Sequence, residues 1–478
     1  MAKNNIFFLW LLVAAATPVV ADDLDAALSG FDEEVAVPTK VAESDSGSGI
    51  AGLSGSLVAN ASYNYLSHKD NAGTDYEGLS RLRTQLNLQY DHDLSETWQA
   101  RVGAFVFYDF FYTLQDERNF TDEVEAEYRD EVEFRESWVQ GKLSQQSDIK
   151  IGRQVVNWGR SESLRVLDLL NPVDNREMGM ADIENLRLPV FMVKGDLYQG
   201  LWNHSLIVIP EVRFSKNPVY GNDFYTTDPA LVIDREDPES IKDSSWAAAA
   251  RGSFSGWDLS FHAARLWNDR PYAKPLFTSP PPVPGMPLIA DRWQLLHSRI
   301  TMVGVGGNLS SGSWIIKGES AWISGLDYMV TERANLTAFG MGIIDNPAGT
   351  EQHDRFDLLL GVEYYGLANT VFSFDLANRH LLDFDKSLKT GYASRDSVEM
   401  AFRVNRNFLN ERLKMTLLLL SLGAEAENGS IARLTMEYAL RDALNLTVGA
   451  ITYQDGDLPP FDQIEQNDRL FTEIKWNF

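Results

Sequence analysis

Arg469-Leu470-Phe471-Thr472-Glu473-Ile474-Lys475-Trp476-Asn477-Phe478 ends the chain with Leu470, Thr472, Ile474, Trp476 and Phe478 at every second position. Side chains two apart share one face of a β-strand, so this stretch reads as a strand with one apolar, aromatic-ended face. The same period recurs upstream from about residue 57. Leu82, Thr84, Leu86, Leu88 and Tyr90 alternate with Arg81, Arg83, Gln85, Asn87 and Gln89. Val398, Met400, Phe402 and Val404 alternate with Glu399, Ala401, Arg403 and Asn405. In a soluble sandwich the polar face would meet water and the apolar face a shared core. In a membrane barrel the apolar face meets lipid and the polar face lines the lumen. Periodicity alone does not separate the two.

The connections do. Eight are short, near 91–96, 144–148, 198–203, 255–256, 309–312, 366–369, 407–411 and 441–443. Between them fall nine mostly longer ones, at 67–78, 113–130, 158–189, 215–243, 268–293, 327–354, 382–395, 423–429 and 455–467. Strict alternation of tight turns with large loops is the asymmetry of an outer-membrane barrel, turns periplasmic and loops outside. The expected fold is all-β: a transmembrane antiparallel barrel of about 18 strands (16–18) over residues 56–478. Prolines agree, with Pro271, Pro275, Pro280, Pro281, Pro282, Pro284 and Pro287 all inside the 268–293 connection. Pro210 interrupts the run 203–214 and calls for a bulge or a strand end there.

Residues 1–21 read as a signal peptide: Lys3, an apolar run from Ile6 to Ala16, then Val19-Val20-Ala21 before Asp22. Export to the outer membrane of a Gram-negative cell is expected after cleavage. Residues 22–55 form an acidic, then Ser/Gly-rich segment with a tether at Ser44–Gly49. Leu24, Ala27, Leu28 and Phe31 could line a short helix that docks in the lumen or on a periplasmic partner; the alternative is a flexible tail. No later stretch is long and apolar enough for a helical span. The zero cysteines exclude thiol chemistry, and the net charge of -26 argues against nucleic acid as a partner. With 44% hydrophobic and 11% aromatic residues the chain is not disordered.

Loop 158–189 has a pattern of its own. Ser161 or Ser163 could cap a short helix through Leu170, stopped by Asn171-Pro172. It carries Arg160, Arg165, Arg176 and Arg187 against Glu162, Asp168, Asp174, Glu177, Asp182 and Glu184. Such a loop either folds inward as the constriction of a channel or lies outside as a cap. As a constriction, it brings Arg160, Arg165, Asp174 and Arg176 to face lumen-lining Arg81, Arg83, Gln85, Glu399, Arg403 and Glu473.

The run Gly152-Arg153-Gln154-Val155-Val156-Asn157-Trp158-Gly159, followed by Asn171-Pro172-Val173-Asp174, resembles an uncharacterised group of proteobacterial outer-membrane barrel proteins, a domain of unknown function. Leu28-Ser29-Gly30-Phe31-Asp32 is similar to what some members carry after the leader. The match is specific over about 152–190. It implies a barrel fold, a surface location and a role in passage of small or hydrophobic compounds, and no binding residue is carried over from it. Ile474, Trp476 and Phe478 similarly resemble the C-terminal signal by which barrel assembly machinery recognises its clients.

The catalytic signals are thin. The seven histidines show no metal-ligand spacing. His262 shares a strand face with Asp258 and Ser260, the residue types of a serine relay, though spacing by two along a strand is common. Gly304-Val305-Gly306-Gly307 lies in a strand rather than a phosphate loop, and Asp455-Gly456-Asp457 lacks the rest of a calcium loop. Residues 116–136 hold ten carboxylates against three arginines, read as a solvated outer loop or as a divalent-cation bridge to lipopolysaccharide. The expectation is a porin-like channel without catalysis, cofactor or metal, passing a small solute. A plugged binding barrel acting with a periplasmic or inner-membrane partner is the alternative. Other expected partners are membrane lipid, lipopolysaccharide and the assembly machinery.

Overall fold

The computed structural model describes residues 51–478 apart from 67–71, 116–119, 227–232, 236–242, 278–285, 287, 291, 341, 389–392 and 458–459. The leader, the 24–31 stripe, the 44–49 tether, His68, and Pro280, Pro281, Pro282, Pro284 and Pro287 lie outside the described residues.

The strands are β1 (Leu53–Asn64), β2 (Gly78–Asp93), β3 (Trp98–Asp109), β4 (Asp130–Ser144), β5 (Ser147–Gln154), β6 (Val190–Gln199), β7 (Trp202–Ile209), β8 (Ile233–Arg235), β9 (Ser245–Phe254) and β10 (Trp257–Leu276). Then come β11 (Arg292–Ser311), β12 (Trp314–Asn335), β13 (Ile343–Leu367), β14 (Thr370–Leu381), β15 (Asp396–Phe408), β16 (Leu413–Leu422), β17 (Ser430–Arg441), β18 (Leu444–Gln454) and β19 (Arg469–Asn477). Eighteen of them pair antiparallel with their sequence neighbours, β7 joining β9 directly. β1 pairs with β19 from Ser56↔Asn477 to Asn64↔Arg469, which closes the cylinder. Among the described residues only the three-residue strand β8 stands outside the circuit, parallel to β11 at Trp293–Leu295.

The alternation sorts itself as the fold requires. Leu470, Ile474, Trp476 and Phe478 point outward and stay exposed. So do Leu82, Val106, Phe134, Leu206, Phe261, Val303, Leu360 and Val448 on other strands. A belt of this kind far exceeds the apolar patch a soluble monomer tolerates, and it fits the hydrocarbon of a bilayer. Aromatic rings gather at its turn-side edge, where Phe254 stacks on Trp257 at 4.1 Å, Trp314 meets Tyr364 at 4.4 Å and Trp476 meets Phe478 at 5.2 Å. Rings with one apolar and one polar side belong at that membrane boundary. The chain is a transmembrane barrel of the outer-membrane type.

All eight short turns fall where the alternation stops. Two expected loops do not. β10 to β13 run for 20, 20, 22 and 25 residues, well past the roughly 9–11 that span a bilayer. Both ends of 268–293 and most of 327–354 are therefore paired hairpin that extends past the membrane-spanning length. Pro271 and Pro275 accordingly lie in β10, not in a loop. Pairing of β10 with β9 ends at Arg265↔Trp246, so both prolines sit on an edge open among the described residues, past a bulge between Trp267 and Pro271. A missing N–H is tolerated there. Pro210 directly follows the end of β7.

Candidate functional site

Loop 155–189 leaves β5, crosses the barrel interior and returns on adjacent β6. Trp158, Leu164, Val166, Leu167 and Leu170 are buried against inward residues of the wall from β6 to β15, among them Met192, Ile207, Met302, Ile323 and Leu359. Each fully buried aliphatic side chain contributes about 1.5–3 kcal/mol relative to exposure. Two glycines of β11 make the room. A Cβ on Gly304 would stand 2.3 Å from Leu167 Cδ2, and one on Gly306 2.9 Å from its Cδ1.

The expected helix through Leu170 does not form; the only helical turn in the loop is Ile183–Leu186. Ser161 does act as a cap of sorts, its Oγ accepting from Ser163 and Leu164 N–H at 3.0 Å. It donates in turn to Asp375 on β14 at 2.6 Å. Backbone donors of Arg160 and Leu167 are taken up by the Glu319 carboxylate of β12 instead of by a helix. Tertiary anchors have replaced local ones.

Asn171 ties the neck. Its Oδ1 accepts from Val156 N–H at 2.8 Å, and its Nδ2 donates to Gln154 O at 3.1 Å and Leu188 O at 2.9 Å. Gly152, at φ +135, lies against β4, where a Cβ would stand 2.3 Å from Ser137 O. Asn157 Oδ1 turns the chain by accepting from Gly159 N–H, and Trp158 packs on His262 at 4.5 Å between ring centres. The Gly152–Gly159 and Asn171–Asp174 motifs are thus the residues that fold the loop inward.

Side chains of the loop then meet wall charges around the lumen. Arg160 reaches Asp258 at 2.5 Å and Ser260 at 3.0 Å on β10. Arg165 pairs with Asp168 at 3.0 Å, and its carbonyl accepts from Arg379 on β14 at 3.1 Å. Asp174 holds Arg176 at 2.6 Å, and Arg176 also donates to Glu131 on β4 at 2.8 Å. Glu177 pairs with Arg81. Asp182 accepts from Arg403 at 3.1 Å and from Arg433. Burial alone would raise the Asp182 carboxyl, but the two arginines hold it below the ordinary carboxylate range.

Of the expected lining residues, the loop therefore touches Arg81 and Arg403. Arg83 pairs with Asp109 at 3.3 Å on the neighbouring strand, Gln85 donates to Asn87 at 2.7 Å, and Glu399 pairs with Arg379. Glu473 stands in one row with Asn60 and Arg83, on the same wall as the arginines. The acidic stretch 116–136 is only partly an outer loop. Glu131 and Glu133 lie on β4 and face inward, where Glu133 pairs with Arg213 at 2.5 Å and with Lys216 at 2.8 Å. Those two cations belong to a second inward segment, 210–226, which sequence periodicity leaves unread. Its Asp223 accepts from Arg469 of β19 at 2.7 Å. Opposite the apolar wall, Thr435, Glu437, Asn445, Thr447, Glu473 and Gln85 are inward and half-buried.

The serine relay is not assembled. Ser260 Oγ donates to Gly306 O at 3.1 Å and accepts from Arg160, while His262 Nε2 lies 2.9 Å from the same oxygen. Asp258, the required orienter, is taken by Arg160 and leaves His262 Nδ1 without a partner. No group of three or more His, Asp and Glu side chains converges on a metal position among the described residues.

No curated protein matches this chain. Among solved structures it is similar to OccK11 (OpdR) of Pseudomonas aeruginosa, with 11% identity over 89% of this chain and 96% of that one, at a TM-score of 0.44. It is also similar to OccAB2 of Acinetobacter baumannii (11% identity, 91% and 99%, TM-score 0.49) and OccAB1 of the same organism (10%, 91% and 99%, 0.48). A family model described as a protein of unknown function (DUF1302) matches residues 11–478, and the chain belongs to that family.

Proposed function

We propose that the chain is an outer-membrane channel for a small solute, narrowed by loop 155–189 and working without catalysis. One observation carries this reading: the loop buries Trp158, Leu164, Val166, Leu167 and Leu170 on the apolar wall from β6 to β15 and ties residues 177–182 to Arg81, Arg403 and Arg433, while Gln85, Thr435, Glu437, Asn445, Thr447 and Glu473 remain inward, polar and half-buried. Barrels of this strand number are wide enough for an aqueous path beside an inserted loop. Charged side chains on both surfaces would orient a polar solute in a narrowed, low-dielectric passage.

A plugged barrel is the second reading, favoured by the buried packing of Val166 and Leu167. Conductance in planar bilayers separates the two. As a channel, the intact protein gives discrete steps, and shortening residues 160–187 raises them several-fold. A silent intact protein sinks the channel; unchanged steps after shortening sink the constriction.

A further inference from the structure

Three arginines stand in one row across the polar wall. The pairing register sets Arg403 of β15 opposite Leu418, Leu418 opposite Arg433 of β17, Arg433 opposite Ile451, and Ile451 opposite Arg469 of β19. Cations thus recur on every second strand, roughly 10 Å apart, with an apolar side chain between each pair. The Arg433 and Arg469 side chains are almost fully buried and that of Arg403 largely so, with exposures of 5%, 3% and 11%.

Buried cations need anions, and here the protein supplies its own from two loops. Asp182 bridges Arg403 and Arg433, and Asp223 pairs with Arg469. The fit at the centre is incomplete. Arg433 gives one nitrogen to Asp182 and another to Gly179 O at 2.8 Å, but its buried Nε has no partner. A guanidinium prefers to engage a carboxylate through two parallel N–H groups. Asp182, shared with Arg403, leaves that capacity unused. Beside the seat, Ile431 and Ile451 form an apolar cluster with Met178 and Met180 of the loop.

We propose that Arg403, Arg433 and Arg469 form a binding row for a monocarboxylate with an apolar body, and that Asp182 occupies its central seat when no solute is present. The carboxylate binds Arg433 and Arg403, and the body lies on Leu418, Ile451 and the adjoining methionines. Asp182 is then an internal competitor. Apparent affinity is the intrinsic affinity multiplied by the fraction of molecules in which it has left the seat, so a seldom-vacated seat binds weakly. Displacing Asp182 removes one anchor of the loop while Tyr453 still holds Met178 O at 2.6 Å and the methionines stay packed on the wall, which couples solute entry to loosening of the segment that follows Met180. The proposal rests on the channel reading for its biological use, but binding can be read without conduction.

The test is calorimetry on the full chain in detergent with octanoate as probe, each sample first checked for the heat-sensitive gel mobility of a folded barrel. Asp182→Asn should bind octanoate about tenfold tighter than the native chain, because the competitor loses its charge. Arg433→Gln should bind at least about tenfold more weakly, with Arg403→Gln replacing it if it does not fold. Octan-1-ol, which lacks the charge, and acetate, which lacks the body, should both bind far more weakly than octanoate. Equal affinity of the native chain and Asp182→Asn, or octanol binding as well as octanoate, overturns the proposal. Octanoate binding by a chain that does not conduct would refute the channel alone; conduction with no octanoate binding by any variant would refute this row alone.

Discussion

Asn171 shows how one side chain can set the path of thirty-odd residues around it. Its amide makes three buried hydrogen bonds, to both the outgoing and the returning limb of loop 155–189. At about 0.5–1.5 kcal/mol for each, Asn171→Ala should weaken the docked loop by about 2–4 kcal/mol. Limited proteolysis should then cut within 160–187 faster, while the barrel keeps its folded gel mobility; an unchanged cutting rate would show that the neck does not hold the loop. Arg81 and Arg83 offer a second test at this scale. One holds the loop through Glu177 and the other sits against Asp109. Replacing both by Glu should shift the zero-current potential in a salt gradient toward cation selectivity. No shift would place these two residues away from the path of ions. Both pairs were legible as inward-facing cations from the period of two. Their partners were not, because Asp109 ends a strand and Glu177 lies in a loop without any period.

Among the elements, strands were easy to read and the loop was not. A strand declares its two faces at every second residue, and eighteen strands repeat the declaration. In loop 155–189 the buried residues Leu164, Val166, Leu167 and Leu170 follow neither period, since they pack against walls on more than one side. Their spacing invited a helix that the tertiary anchors at Glu319 and Asp375 displaced. The smooth strip at Gly304 and Gly306 was the available clue to where they go. Docking of this element should depend on pH. Arg433 and Arg403 depress the Asp182 carboxyl, and Arg176 outweighs burial to depress Asp174. A depressed carboxyl stabilises the docked state fully above its unfolded pKa of about 3.9, and that contribution is lost as pH falls through the lower folded value. Below about pH 4 the loop should loosen, seen as larger or noisier current steps than at pH 6. Identical steps at the two pH values would count against charge as the loop's anchor.

For the whole molecule, the decisive contacts are those at the seam between the first and last strands. Phe478 N–H donates to Gly55 O at 3.0 Å, and Gly55 N–H donates to Phe478 O at 2.9 Å, so the last residue also ends the ladder that closes the cylinder. Its ring is exposed on the outer face beside Trp476. Deleting Phe478 should lower the amount of folded, heat-modifiable barrel in outer-membrane fractions. Phe478→Ala, which keeps the backbone pair, should do the same if the ring is what the assembly machinery reads. Normal levels of both variants would refute that role. The prolines at 271 and 275 have a consequence at this scale too. β10 and its neighbours extend past the membrane-spanning length, and beyond Arg265 the outer edge of β10 has no strand partner among the described residues. In a membrane crowded with copies, such edges meet sideways and invite one chain to zip onto the next. Two positions that cannot donate would interrupt any ladder formed along that edge, which disfavours sideways pairing of copies there.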